Sequence, residues 1–220
     1  MEIQWLLGGL RLKIVMPRGI NGNQNDNSNN RSGAVYLFTR TGTTWSQQAY
    51  VKASNSETDD QFGKSIAISG DGNTMAVGGA YREESNATGI NGDQNDNSNF
   101  NSGALYIFTR TGTTWTQQTY IKASNAEAGD EFGFSVSLSG DGNTMAVGAW
   151  FEDSNATNIN GDQNNNSNNR SGAVYVFTRT GTTWTQQAYI KASNSETDDI
   201  FGFCILLSSD GNTLAVGGFV

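Results

Sequence analysis

The sequence predicts an all-β fold: a partial β-propeller built from four-stranded antiparallel blades that repeat about every 70 residues. Three observations carry this. Ser32-Gly-Ala-Val-Tyr-Leu-Phe38 returns as Ser102-Gly-Ala-Leu-Tyr-Ile-Phe108 and as Ser171-Gly-Ala-Val-Tyr-Val-Phe177, at offsets of 70 and 69 residues. Each period contains four short runs with strand-like composition. No window keeps a 3.6-residue apolar period, and no 18-residue apolar run is long enough to span a membrane as a helix.

The unit starting at Phe132 illustrates the elements in order. Phe132-Gly-Phe-Ser-Val-Ser-Leu138 alternates as a first strand. Ser139-Gly-Asp-Gly-Asn-Thr144 is a turn, because Asp-Gly readily takes positive φ. Met145-Ala-Val-Gly148 is a short second strand, followed by a long polar loop over about 151–171. Ala173-Val-Tyr-Val-Phe177 is the third strand, residues 178–182 turn the chain, and Trp184 to Lys191 is the fourth. Counting from the Phe-Gly pairs, residues 62–131 and 132–200 are full blades. Residues 20–61 are the second half of a blade and 201–220 the first half of another. A β-sandwich or β-solenoid is the alternative, although solenoid coils are usually much shorter than this repeat. A propeller closes with roughly four to eight blades, so further blades of a parent protein, or other copies of the chain, are expected partners.

Residues 1–19 break the repeat, being apolar and basic where the other units are rich in Gly and Asn. A coding sequence for residues 1–8, read one base out of frame, can spell Asp-Gly-Asn-Thr-Met-Ala-Val-Gly, the segment at 71–78. Met16-Pro-Arg18 can likewise become Asn-Ala-Thr, the segment at 86–88. The N-terminal segment is therefore expected to be an out-of-frame reading that does not make a well-packed half-blade. A signal peptide is the weaker alternative, because Arg11, Lys13 and Arg18 interrupt the apolar stretch.

Composition narrows the chemistry. With no His among 220 residues, His-based triads, general bases and metal ligands are excluded together. The single Cys excludes disulfide frameworks and thiolate zinc clusters. A net charge of −8 argues against a nucleic-acid partner.

The units resemble FG-GAP repeats, the blade type of integrin α-subunit propellers and of many bacterial surface and secreted proteins. The Phe-Gly pair occurs at Phe62-Gly63, Phe132-Gly133 and Phe201-Gly202; the second half of the motif is altered to Gly78-Gly-Ala80, Gly148-Ala-Trp150 and Gly217-Gly-Phe219. The resemblance covers about 20–220 and implies a propeller of about seven blades, often calcium-binding, extracellular or cell-surface, and used for adhesion or ligand binding. The integrin calcium loop between the first two strands does not carry over, since Ser-Gly-Asp-Gly-Asn-Thr is too short and has too few carboxylates.

Candidate chemistry sits in the Asn-rich loop between strands two and three. Its copies start at Asn21, Asn91 and Asn160. Oxygen-bearing side chains recur along it: Asn91, Asp93, Asn95, Asp96 and Asn97 in the middle copy, Asn160, Asp162 and Asn164 in the last. Calcium takes six to eight hard oxygens, and so few carboxylates imply weak binding, roughly 10⁻⁴–10⁻³ M. The other reading is that Asn and Asp form self-bonded turns. The acidic groups Glu57/Asp59/Asp60, Glu127/Asp130/Glu131 and Glu196/Asp198/Asp199 read as solvated inter-blade turns; a glycosidase-like acid pair is the alternative. Trp45, Trp115 and Trp184 are expected to pack between blades rather than stack on sugars. Cys204 takes the slot of Ser65 and Ser135 and is expected to be a small buried residue. Asn86-Ala-Thr88 and Asn155-Ala-Thr157 match the glycosylation sequon. No unrepeated acid, base or nucleophile stands out. The expected function is a non-enzymatic binding or adhesion module with a protein or carbohydrate ligand; a polysaccharide-acting enzyme or a gene fragment without separate function are the alternatives.

Overall fold

A computed structural model describes residues 4–7, 10–13, 19–79 and 82–219, and all its regular elements are strands. In chain order these are β1 (Gln4–Leu7), β2 (Leu10–Lys13), β3 (Val35–Thr41), β4 (Thr44–Val51), β5 (Ser65–Ile68), β6 (Thr74–Gly78) and β7 (Leu105–Thr111). Next come β8 (Thr114–Ile121), β9 (Phe132–Leu138), β10 (Thr144–Ala149), β11 (Ala173–Thr180), β12 (Thr183–Ile190), β13 (Cys204–Leu207) and β14 (Leu214–Gly217). Two four-stranded antiparallel sheets form, β5-β6-β7-β8 and β9-β10-β11-β12. β3-β4 and β13-β14 are two-stranded and match the last and first halves of those sheets. The predicted blades are therefore present.

β1 lies one repeat before β6 but pairs with β2 rather than with β3. The expectation that residues 1–19 pack poorly concerns side chains that lie outside the described residues.

The central strands show why the third strand reads as one apolar run. Along β7, Leu105 and Ile107 point into the cluster shared with the following blade, while Tyr106 and Phe108 point into the cluster shared with the preceding one. β11 repeats this, with Tyr175 and Phe177 facing back and Val174 and Val176 facing forward. Alternation at period two thus buries both faces. The aromatic face of each blade meets the aliphatic face of its predecessor; within that aromatic face Phe132 stands edge-on to Tyr175 at 5.3 Å and Phe62 edge-on to Tyr106 at 5.4 Å.

Two glycine positions let the parts approach this closely. Gly103 has φ +79° and bridges Phe132, whose backbone oxygen a Cβ would strike. Gly148, in β10, abuts the Gly202 carbonyl of the next unit, again leaving no room for a Cβ. First strands are tied across blades as well: Ser65 Oγ donates to Gly133 O at 2.7 Å and Ser135 Oγ to Gly202 O at 2.6 Å.

Cys204, at the corresponding position of β13, is exposed, contrary to expectation. That slot is covered only where a further sheet stands over it, and none does so among the described residues.

A bulge recurs in every pairing of third and fourth strands, at Leu37/Phe38, Ile107/Phe108 and Val176/Phe177. The extra residue is Gln48, Gln118 or Gln187. Gln48 Oε1 accepts from Trp115 Nε1 of the following blade at 3.0 Å, and Gln118 Oε1 from Trp184 Nε1 at 3.2 Å. The bulge re-aims a side chain that would otherwise follow the strand's alternation.

Candidate functional site

The long loops after β6 and β10 fold over the turn that ends the preceding unit. Ser54 Oγ donates to Gln94 Oε1 at 2.6 Å, Asn55 Nδ2 to Gln94 O at 2.6 Å, and Asn97 Nδ2 to Glu57 Oε2 at 2.7 Å. One repeat later, Ser124, Asn125 and Asn166 do the same with Gln163, Gln163 O and Glu127. The Asn-rich loops therefore form a continuous polar rim along one edge of successive sheets.

Within the rim, the calcium candidates serve backbone turns. Asn91 Oδ1 accepts from Tyr120 N at 3.1 Å and Asn160 Oδ1 from Tyr189 N at 2.9 Å. Asp93 Oδ1 accepts from Asn95 N at 2.9 Å and Nδ2 at 3.3 Å, and Asp96 Oδ1 from Ser98 N at 2.8 Å. Asp162 holds Asn164 N at 3.0 Å. The three aspartate bonds close Asx turns, whereas Asn91 and Asn160 tie the loop to the fourth strand 29 residues on. The Ser98 hydroxyl and amide hold the Asp96 carboxyl below its ordinary range. Asn91, Asp93, Asn95, Asn97, Asn160, Asp162 and Asn164 are exposed and Asp96 is half-buried. Among the described residues, no three acidic or thiol side chains are grouped to hold a metal.

Behind the rim lies a buried polar network that the sequence reading missed. Glu83 is 2 % exposed. Its Oε2 accepts from Lys122 Nζ at 2.8 Å, while Oε1 accepts from Tyr120 OH at 2.6 Å and from Asn55 Nδ2 at 3.3 Å. Tyr106 OH closes the network on Asn55 Oδ1 at 2.6 Å. Glu152, Lys191, Tyr189, Asn125 and Tyr175 repeat it in the next blade. Burial lowers the lysine and raises the tyrosine pKa values. An ion pair this deep is held by full hydrogen bonding rather than by Coulomb attraction alone. The signal lay in Tyr120-Ile-Lys122-Ala-Ser-Asn125, where a lysine interrupts an apolar strand end in every unit.

The acidic groups before Phe-Gly are only partly solvated, which corrects the reading of them as surface turns. Asp60 and Asp130 are buried, at 5 % and 3 % exposure. Desolvation pushes their carboxyls up to about 7 and about 8. Each caps its own turn, with Asp130 Oδ2 accepting from Glu127 N at 3.0 Å. Glu131 is also buried and accepts from Trp150 Nε1 at 2.6 Å. Trp115 and Trp184 are buried between blades, with Arg110 and Arg179 over their rings, whereas Trp45 is 64 % exposed. The sequon residues Asn86 and Asn155 are exposed.

A family profile for the FG-GAP repeat matches residues 45–108 and 115–177, more than half of the chain. The chain belongs to the FG-GAP repeat family. Each FG-GAP match runs from the fourth strand of one sheet to the third strand of the next, so it spans one blade interface and holds the glutamine of a Gln–Trp clamp whose tryptophan lies beyond its end. Comparison with curated proteins gives no match.

Proposed function

We propose that this FG-GAP protein is a non-enzymatic binding or adhesion module, secreted or displayed at a cell surface, whose contact surface is the rim of Asn-rich loops. The observation that supports it is the rim itself: polar, exposed side chains arrayed over consecutive blades and held in place by inter-blade hydrogen bonds. Such an array suits a large ligand that touches several repeats at once. The polar groups inside the blades are committed to packing and come in identical copies, whereas a catalytic centre draws different groups from different elements.

The test is retention of the full chain on an array of glycans and extracellular proteins, against a variant with residues 91–99 and 160–168 replaced by Gly-Ser. Loss of a selective ligand in the variant is the expected result. Release of reducing ends from a polysaccharide by the wild type would replace this reading with an enzymatic one.

Calcium enters the same reading as a weak ligand of the middle loop, through Asp93 and Asp96. Both carboxylates are already oriented by backbone N–H groups, with one oxygen of each partly used. Millimolar calcium is expected to stabilise by about 1 kcal/mol at a few times Kd, and Asp93→Asn to reduce that gain. Equal melting temperatures of the wild type in calcium and in chelator remove calcium from the reading.

A further inference from the structure

All three units bury the same lysine, but among the described residues only two supply it with a carboxylate. Lys122 has Glu83 and Lys191 has Glu152. In the first unit Lys52 is 6 % and Tyr50 4 % exposed, so both are still buried residues, though less deeply than their counterparts. The residue one repeat before Glu83 is Lys13, and residues 1–18 contain a single carboxylate, Glu2. Lys52 Nζ keeps the serine bond common to all units, to Ser32 Oγ at 2.6 Å. Where Lys122 and Lys191 reach a carboxylate, it donates to the backbone carbonyl of Gly33 at 2.9 Å. The Tyr50 hydroxyl, whose equivalents both donate to a glutamate, has no hydrogen-bond partner among the described residues.

Space opens at the same point. A cavity of about 200 Å³ is lined by Lys52, Tyr50, Ser32, Tyr36, Gln24 and Asp26, among others. It is smaller than the roughly 300–1,000 Å³ of clefts that hold drug-sized ligands. A buried ammonium and a hydroxyl on the cavity wall with no protein acceptor among the described residues both suit an incoming anion that can accept from each. Asp26 does not oppose this, since Asp96 stands in the same relation to Lys122 and the Glu83 carboxylate is seated there nonetheless.

We propose that this cavity is a binding site for a small monocarboxylate, which takes the position of the Glu83 and Glu152 side chains with one oxygen on Lys52 Nζ and the other on Tyr50 OH. The site lies on the inner side of the first Asn-rich loop, and its measurement does not depend on any adhesion ligand. A carboxylate is preferred over a tetrahedral dianion because the two donors match the two oxygens of a planar group, as Glu83 demonstrates with Oε2 on lysine and Oε1 on tyrosine.

The test is calorimetric titration of the full chain with sodium acetate at constant ionic strength, with acetamide and sulfate as controls. One equivalent of acetate is expected to bind with Kd between about 0.1 and 10 mM, the range open to so small a ligand. Acetamide and sulfate are expected not to bind. Tyr50→Phe keeps the ring and removes one donor, so it is expected to weaken acetate about tenfold. Lys52→Met is expected to abolish binding. Equal binding of acetate and acetamide overturns the proposal, as does a Tyr50→Phe affinity equal to wild type. So does absence of acetate binding in the wild type, including the case in which Glu2→Gln restores it, because the chain's own carboxylate then holds the site.

Discussion

Asp130 is a carboxylate in a place that disfavours charge, with the Glu152, Glu127 and Asp153 carboxylates acting on it after burial itself. Its folded pKa of about 8 lies above the ordinary carboxylate value, and Asp60 follows at about 7. The native state therefore holds these protons where the unfolded chain has released them. Stability is expected to fall as pH rises from about 5 through 8, since the native state binds more protons than the unfolded one over that window. Melting temperatures across this range check it, and Asp130→Asn should flatten the decline. Ile200 is a second residue under local strain, at φ 53° where its counterparts are Gln61 and Glu131. A β-branched side chain in the left-handed region costs about 1–2 kcal/mol. Ile200→Asn is expected to raise stability by about 1 kcal/mol in urea unfolding. At this scale the sequence was only partly legible. The acidic triplets were visible as a pattern, but nothing in one dimension places Asp130 under the next loop while leaving Glu127 in water.

Among the elements, the fourth strand depends on its bulge. Gln118 is the extra residue opposite β7, and the Trp184 indole of the next blade is satisfied through it. Gln118→Ala leaves that buried N–H unpaired and is expected to cost about 1–3 kcal/mol, read from a shift in urea midpoint at unchanged slope. The strands were legible because their apolar runs, the Asp-Gly turns and the Thr-Gly-Thr turn are local signals. The predicted second strand, Met145–Gly148, differs from β10 by one residue at each end. The bulge was not legible, because Gln117-Gln118 reads as two outward polar residues until the partner strand fixes the register. The Asn-rich loops were legible as loops; their hydrogen bonds to the preceding unit depend on contacts about 40 residues away in sequence.

For the whole molecule, identical residues carry unequal weight. Trp115 and Trp184 fill inter-blade space at 3 % and 2 % exposure, while Trp45 is 64 % exposed together with Tyr36 and Phe38. Trp184→Ala is expected to cost about 3–5 kcal/mol, and Trp45→Ala to stay within about 0.5 kcal/mol of wild type, in parallel denaturant titrations. The repeat period made the stacked architecture readable. The buried Glu–Lys–Tyr network was not, because each glutamate is about 40 residues from its lysine and polar neighbours mask it in the sequence.

The two-faced construction of the sheets also bears on how such a gene changes. Every blade offers an aliphatic surface to its successor and an aromatic one to its predecessor. A duplicated stretch of one period, cut at any point, therefore inserts with both surfaces already matched and the Gln–Trp clamp already in register. Unequal recombination between near-identical copies can lengthen or shorten the array with no compensating substitution. The joint is sensitive instead to an insertion that is not a whole period: it can leave a lysine in its place and remove the glutamate that should meet it.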